Sequence, residues 1–232
     1  MAMRIITGYL LVVLGFSLSH SQGIYYPELP CSSNNLFYDL VRLKALQTHN
    51  ILRTQLANGK QRNGLTTEFF PMASNMSLLK YDCELEKIAR NISKLCLKDS
   101  AHDFEHVGSN NAIFELEYDS ISPEIDVSES VNYLVKRWWY AGEINAPLKN
   151  LTPTSKDTLL IPFLQMANAA TTSLGCAFTV CKNGGVRPFV SFVCQYGEPH
   201  VSVNVPIYKE GAPCSYCNNK CVFGSLCKYT SF

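Results

Sequence analysis

The side chains of this chain best suited to acid–base or metal chemistry are His49, His102 and His106, the carboxylates Glu115, Glu117, Asp119, Glu124, Asp126 and Glu143, and ten cysteines. Imidazole nitrogens bind divalent metals, and a carboxylate beside them orients a water or accepts its proton. Each group also has a plainer reading. His49 lies on a helical pattern and is expected to bond to its own backbone. His102 and His106 stand in a polar run and read as solvated loop residues, with a ligand set of either one plus Glu143 as the alternative. The acidic run from 115 to 126 reads as a solvated face. Ser109, Ser173 and Ser191 lack a nucleophile motif such as G-x-S-x-G. Gly184-Gly185, between two strand-like runs, reads as a hairpin turn and not as a phosphate loop.

The ten cysteines form an even set, which in an oxidising compartment reads as up to five disulfides. Cys214-x2-Cys217-x3-Cys221 also has zinc-ligand spacing, and disulfides are the stronger reading in a secreted chain. The compartment follows from residues 1–21: Arg4 is a positive start and Ile5 to Leu18 an apolar run of signal-peptide length, with cleavage expected near Ser21–Gln22. A membrane anchor would need roughly 18 or more apolar residues, and Thr7, Gly8, Gly15, Ser17 and His20 shorten this run. Asn75-Met-Ser, Asn91-Ile-Ser and Asn150-Leu-Thr are N-glycosylation acceptors if exposed. The chain is 47% hydrophobic and 17% charged with a net charge of +1, so neither nucleic acid nor insertion into a membrane is indicated.

Elements that would position these groups can be read from periodicity. Leu36, Leu40, Leu43, Leu46, Asn50 and Arg53 trace one helical stripe, which Asn58-Gly59 stops. A second helix has Leu85, Ile88, Ala89, Ile92 and Leu95 inside and Glu84, Glu86, Lys87 and Arg90 outside. Cys83 and Cys96 bracket it, about 20 Å apart at roughly 1.5 Å per residue, too far to pair with each other. A third helix, capped by Asp126 or Ser128, buries Val131, Leu134, Val135 and Trp138 and stops at Gly142. Leu159 to Tyr196 reads as a short apolar helix and two strands, and Val201 to Tyr208 as extended chain. Loops are expected near 60–74, 97–112 and 141–157. The expected organisation is a signal peptide over 1–21, one α/β domain over 22–205 and a small tail over 206–232 held by its disulfides.

His49-Asn50-x2-Arg53, Pro71…Asn75-Met76…Tyr81-Asp82-Cys83…Glu86 and Gly108-x-Asn110 occur in that order, followed by Trp138-Trp139, Gln165, Gly175-Cys176…Cys181 and Val193-Cys194-Gln195-Tyr196. Together they resemble the CAP family (cysteine-rich secretory proteins, antigen 5, pathogenesis-related 1). The Phe70-Pro71-x-Ala73-Ser74-Asn75-Met76 run and the Pro213-Cys214-Ser215-x-Cys217 tail are most similar to the Ancylostoma-secreted type of parasitic nematodes, close to hookworm platelet and neutrophil integrin inhibitors. The resemblance implies an α-β-α sandwich with a three-stranded antiparallel sheet and a hinge-like tail. It implies the pairs Cys176–Cys194, Cys83–Cys181, Cys31–Cys96, Cys214–Cys221 and Cys217–Cys227.

Many relatives of this kind carry two histidines and two glutamates that hold a divalent metal. Here the four positions are His49, Ser109, Ala141 and Pro162, so the tetrad is degenerate. The resemblance implies no catalytic residues, no cofactor and a secreted, non-enzymatic protein that engages a host cell-surface receptor, with an integrin as the target. Neither Arg-Gly-Asp nor Lys-Gly-Asp occurs. The alternatives are a sterol or fatty-acid carrier, with Phe69, Phe70 and Met72 lining a groove, and a metal-dependent hydrolase, which the lost tetrad disfavours.

Overall fold

The structure, a computed structural model, describes residues 31, 36–97, 104, 108–115, 127–182, 188–218 and 220–228. The leader, His102, His106, Glu117, Asp119, Glu124, Asp126 and Gly184-Gly185 lie outside the described residues.

Helix α1 spans Leu36–Ala57, α2 Cys83–Ser93, α3 Val127–Ile144 and α4 Ile161–Ala167. Strands β1 (Lys80–Tyr81), β2 (Ser109–Glu115), β3 (Ser173–Cys181) and β4 (Phe189–Tyr196) form one sheet in the order β1-β3-β4-β2. The three long strands are antiparallel, as expected, and β1 adds a short parallel edge to β3. The sheet therefore has four strands. Two residues of β1 are enough because Lys80 and Tyr81 pair only with Ser173 and Leu174.

Alternation along the strands divides the residues between two faces. Ala177 and Val193, which are partners across β3 and β4, pack with Ala89 of α2. Phe178↔Phe192 and the disulfide pair Cys176–Cys194 project to the other side, where α1, α3 and α4 build the main core. This makes an α-β-α sandwich. The α2 layer comes very close: a Cβ on Gly175 would fall 2.1 Å from the Glu86 backbone nitrogen, so only glycine allows the helix to sit there.

Helix α2 starts on a cap that the periodicity did not reveal, with Asp82 accepting from Glu84 N at 2.8 Å and Leu85 N at 3.1 Å. Glu86, expected outside, is buried. It accepts from Arg42 Nε at 2.6 Å and Nη2 at 2.8 Å, and from Arg90 Nη2 at 2.7 Å. Burial pushes its carboxyl up, but the bonds from Arg42 and Arg90 outweigh burial and hold it below its ordinary value. A charge that clamps two helices thus occupies a position that the hydrophobic pattern assigned to solvent.

Other boundaries also move. The buried stripe of α1 is Arg42, Ala45/Leu46, His49, Leu52/Arg53 and Leu56, while Leu36 and Leu40 are exposed. Helix α3 runs through Gly142, where a Cβ would meet the Phe163 ring at 2.7 Å. Gly142 is there for close helix packing, and the loop expected from 141 begins only after Ile144. The second expected loop gives way to β2 at Ser109. Val201 to Tyr208 is a series of turns and not an extended run. Its backbone bonds go to Pro153 O and Leu151 O, so no strand ladder holds it straight.

Five disulfides are formed, and two differ from the pairing the resemblance implied. Cys31 pairs with Cys83 and Cys96 with Cys181, in place of Cys83–Cys181 and Cys31–Cys96. The reason is the direction of α2 along β3. Asp82 N bonds Leu174 O at the start of β3, so Cys83 lies about 23 Å from Cys181 at roughly 3.3 Å per residue. The far end of α2 brings Cys96 to Cys181. Cys214–Cys221 and Cys217–Cys227 close the small β5–β6 hairpin (Cys221–Val222, Leu226–Cys227). That hairpin is tied to the body: Leu78 N bonds Cys227 O at 2.9 Å, Cys227 N bonds Met76 O at 2.7 Å, and Leu226 is in the core.

The segment between tail and α1 also receives Arg53. This fully buried guanidinium donates to Ser77 O (2.9 Å), Met166 O and Asn168 O (both 2.8 Å) and Thr171 O (3.2 Å), all backbone carbonyls. Burial pushes it down to about 9, so it remains charged at neutral pH. Replacing Arg53 by Met strips four buried carbonyls of their donor, and we expect a loss of about 3–5 kcal/mol in urea unfolding. A loss under about 1 kcal/mol would show that the clamp is not a main support of the fold.

Candidate functional site

Of the residues singled out for chemistry, His49, Ser109 and Pro162 meet in one place between α1, the start of β2, the end of β4 and α4. His49 lies one helical turn before Arg53 on the inward face of α1 and is completely buried. Its Nδ1 is 2.7 Å from Ala45 O and its Nε2 is 2.9 Å from the Tyr196 hydroxyl. A carbonyl only accepts, so Nδ1 carries the proton and Nε2 accepts from Tyr196. Tyr196 in turn accepts from Asn110 Nδ2 at 3.0 Å, and the second hydrogen of that amide goes to Pro162 O at 2.9 Å. Asn110 Oδ1 accepts from Gln165 Nε2 at 2.7 Å, which also donates to Ser109 O at 2.9 Å. Gln165 Oε1 accepts from Gly108 N.

The chain of bonds is closed at both ends, and among the described residues no buried side-chain nitrogen or oxygen lacks a partner. Of the four degenerate positions, His49 contributes its ring, and Ser109 and Pro162 contribute only backbone carbonyls. Ala141 offers only its backbone carbonyl, which accepts from Asn145 Nδ2 at 2.8 Å, and its methyl group packs against the core. The expected helix histidine bonded to its backbone is what the structure places at 49. The network partners Tyr196, Asn110 and Gln165 were visible only as motif letters. One local signal pointed to them: Gln165 is the single polar side chain in the otherwise apolar, fully buried α4.

Electrostatics make the same point. Burial lowers His49 to about 4, against the raising effect of its bond to Ala45, so the ring is neutral at physiological pH. Burial likewise pushes the Tyr196 hydroxyl far above its ordinary value. A divalent metal, which the resemblance associates with these positions, does not fit: one imidazole nitrogen is protonated, the other is committed to Tyr196, and alanine and proline offer no side-chain donor. Pro162 sits in the first turn of α4, where its missing N–H costs nothing. Among the described residues no three histidine, cysteine, aspartate or glutamate side chains group as a metal site.

Other candidates are dispersed. Glu143 belongs to a groove between α1 and α3, and its Oε1 accepts from Gln61 Nε2 at 3.0 Å. Phe70 is in the core, stacked on Phe163 at 5.2 Å between centroids, whereas Phe69 and Met72 are exposed and Arg62 lies over Phe69. The three expected groove residues therefore do not line one surface. Asn91 and Asn150 are exposed, and Asn75 is half-buried with Oδ1 accepting from Lys209 N at 2.9 Å.

The cysteine-rich secretory protein family, CAP, matches residues 46–196. The Ancylostoma secreted protein of Ancylostoma caninum is 28% identical over 88% of this chain and 47% of its own length. The chain thus spans about half of that relative. NaASP2, solved with Zn2+, superposes with a TM-score of 0.68 at 29% identity, covering 84% of this chain and 98% of that one. The Hookworm Platelet Inhibitor superposes with a TM-score of 0.57 over 82% of this chain and 86% of its own; at 21% identity that likeness shows the fold alone.

A neutral buried His49 makes stability depend on pH. The unfolded ring titrates near 6.5 and the folded ring near 4, so between those values the unfolded chain binds more protons. Stability is fully present above about pH 6.5 and declines as pH falls towards 4, by about 2.5 kcal/mol at pH 4.5. Urea midpoints at pH 7.5 and 4.5 should show this decline in the wild type and much less of it in His49→Gln. Equal declines in the two proteins would contradict a neutral, sealed His49.

Proposed function

The chain belongs to the cysteine-rich secretory protein (CAP) family, and from that membership we propose that it is a secreted, non-enzymatic protein with which a parasitic nematode acts on its host. It blocks a host cell-surface receptor, with a platelet or leukocyte integrin as the first target. The observation that carries the non-enzymatic part is the sealed network at His49, Tyr196, Asn110 and Gln165, in which no lone pair or labile proton faces solvent. The secreted part is supported by five disulfides and by the likeness to the Ancylostoma secreted protein. Among the described residues no helix is long and apolar enough to cross a membrane. The signal peptide over 1–21 and the boundary near 205 between domain and tail are part of the same proposal.

On this reading the rigid body presents its surface segments to the receptor, as loops on a scaffold commonly do. Residues 60–74 and 145–157 are such segments, and they are joined: Asn63 Oδ1 accepts from Leu148 N at 2.8 Å and Asn63 Nδ2 donates to Leu148 O at 3.0 Å. With no Arg-Gly-Asp or Lys-Gly-Asp, recognition uses a folded surface and not a short linear motif.

Purified protein is expected to reduce platelet aggregation or neutrophil adhesion in a dose-dependent way, and prior chelation followed by dialysis should not change its potency. Pull-down from host blood-cell membranes then identifies the receptor. Inactivity in both cell assays would remove the integrin target, and activity lost on chelation would remove the metal-independent scaffold reading.

A further inference from the structure

The groove between α1 and α3 is separate from the buried network and is not used by the reading above. It encloses about 330 Å³. The two helices that form it run in the same direction. Thr48 Oγ1 meets Asn132 Oδ1 at 3.4 Å, and further along both helices Gln61 accepts from the Trp139 indole and donates to Glu143 Oε1 at 3.0 Å. Thr48 and Asn132 therefore mark one level, with Lys44 a turn before it and Lys136 a turn beyond it.

Lys44, Gln47, Ile51 and Gln55 succeed one another at spacings of three and four, which puts them in one stripe along α1, and all four line the groove. Glu143 also lines it and stands at the far end, about three turns past Asn132 on α3. At roughly 1.5 Å per residue, Lys44 and Glu143 are about 22 Å apart along the helices, and Ile51 is midway. Ile51 is an aliphatic side chain left 58% exposed. Lys44 makes no ion pair among the described residues. Glu143 is held in place by the buried Gln61. Along the groove the order is thus cation, amide, aliphatic, amide, anion.

That order is its own complement when it is turned end for end. We infer that this face binds a second copy of the chain, in a twofold dimer with the α1 helices antiparallel across the axis. Lys44 of each copy then meets Glu143 of the other, Gln47 meets Gln55, and Ile51 meets its own copy at the axis. Each glutamine amide carries both a donor and an acceptor, so the two can pair. Burial of Ile51 contributes the apolar centre, while the charged ends set the orientation more than the strength. Lys136 is also at the middle level and faces its own copy, a like pair that opposes association. A footprint about 22 Å long and two helix diameters wide, roughly 20 Å, is small for a specific interface, so the dimer is weak, with a dissociation constant on the order of tens of micromolar. The inference does not rest on the receptor reading, and its failure leaves that reading as it stands.

Sedimentation equilibrium of the purified full chain at low salt, at concentrations on both sides of that value, tests it. The wild type should show a monomer–dimer equilibrium. Lys44→Glu alone and Glu143→Lys alone should each weaken it at least about tenfold. An equimolar mixture of the two should recover it, because at both ends of the mixed dimer position 44 again faces the opposite charge at position 143. Lys136→Ala should tighten association a few-fold by removing the like pair. Glu143→Lys also loses the bond to Gln61, so circular dichroism and urea midpoints check its fold, and a second measurement avoids that residue. With every described native cysteine in a disulfide, Ile51→Cys should cross-link to a covalent dimer with a short bismaleimide. Ile88→Cys, exposed on α2 beyond the sheet, should not. The inference is overturned by a wild type that stays monomeric throughout, by a mixture no more associated than its two components, or by cross-linking at position 88 and not at 51.

Discussion

The Arg53 guanidinium is the interaction on which the other parts of this molecule depend. A charged group with no carboxylate partner is buried among backbone carbonyls from three places: Ser77 in the segment before β1, Met166 and Asn168 at the end of α4, and Thr171 before β3. Leaving such a charge unsolvated would cost several kcal/mol. The fold must therefore bring these three segments to α1 together. The end of α4 is a natural site for a cation, because the carbonyls of a helix C-terminus lack partners and carry its negative end.

Several features follow from that convergence. The 72–79 segment is held between Arg53 on one side and the tail hairpin on the other, through Leu78 and Met76 with Cys227. The tail's disulfides thus brace a strip of the main body as well as the tail. Helix α4, fixed at its end by Arg53, offers Pro162 O and Gln165 to the network that seals His49. Since His49 and Arg53 are one turn apart on α1, a single helical face organises both the structural clamp and the sealed network.

That site illustrates how one architecture can keep polar groups without a reactive centre. In a low-dielectric interior each hydrogen bond is strong and each missing one is expensive. Asn110, Gln165 and Tyr196 use every donor and acceptor that points inward, and the protons run in one direction from the amides to His49 Nε2. A metal or a water would have to displace bonds already made. Glu143 lies elsewhere, in the groove between α1 and α3, where it accepts from Gln61.

Much of this was legible in the residues alone. The ten cysteines implied a disulfide framework, the period of three to four placed α2 and the core of α3, and two strand-like runs within Leu159–Tyr196 placed β3 and β4. Motif order identified the family, and a proline and an alanine at ligand positions argued against a metal, since residue type alone decides whether a donor atom exists. What only the tertiary structure decided depends on distance between segments far apart in sequence. The direction of α2 along β3 chose Cys31–Cys83 and Cys96–Cys181. The approach of Arg42 drew Glu86 inside, and Phe163 made Gly142 a contact and not a stop. The sealing of His49 needed Tyr196, Asn110 and Gln165 from three other elements. Periodicity reports which face of an element is apolar; it cannot report which polar partner another element will bring to it.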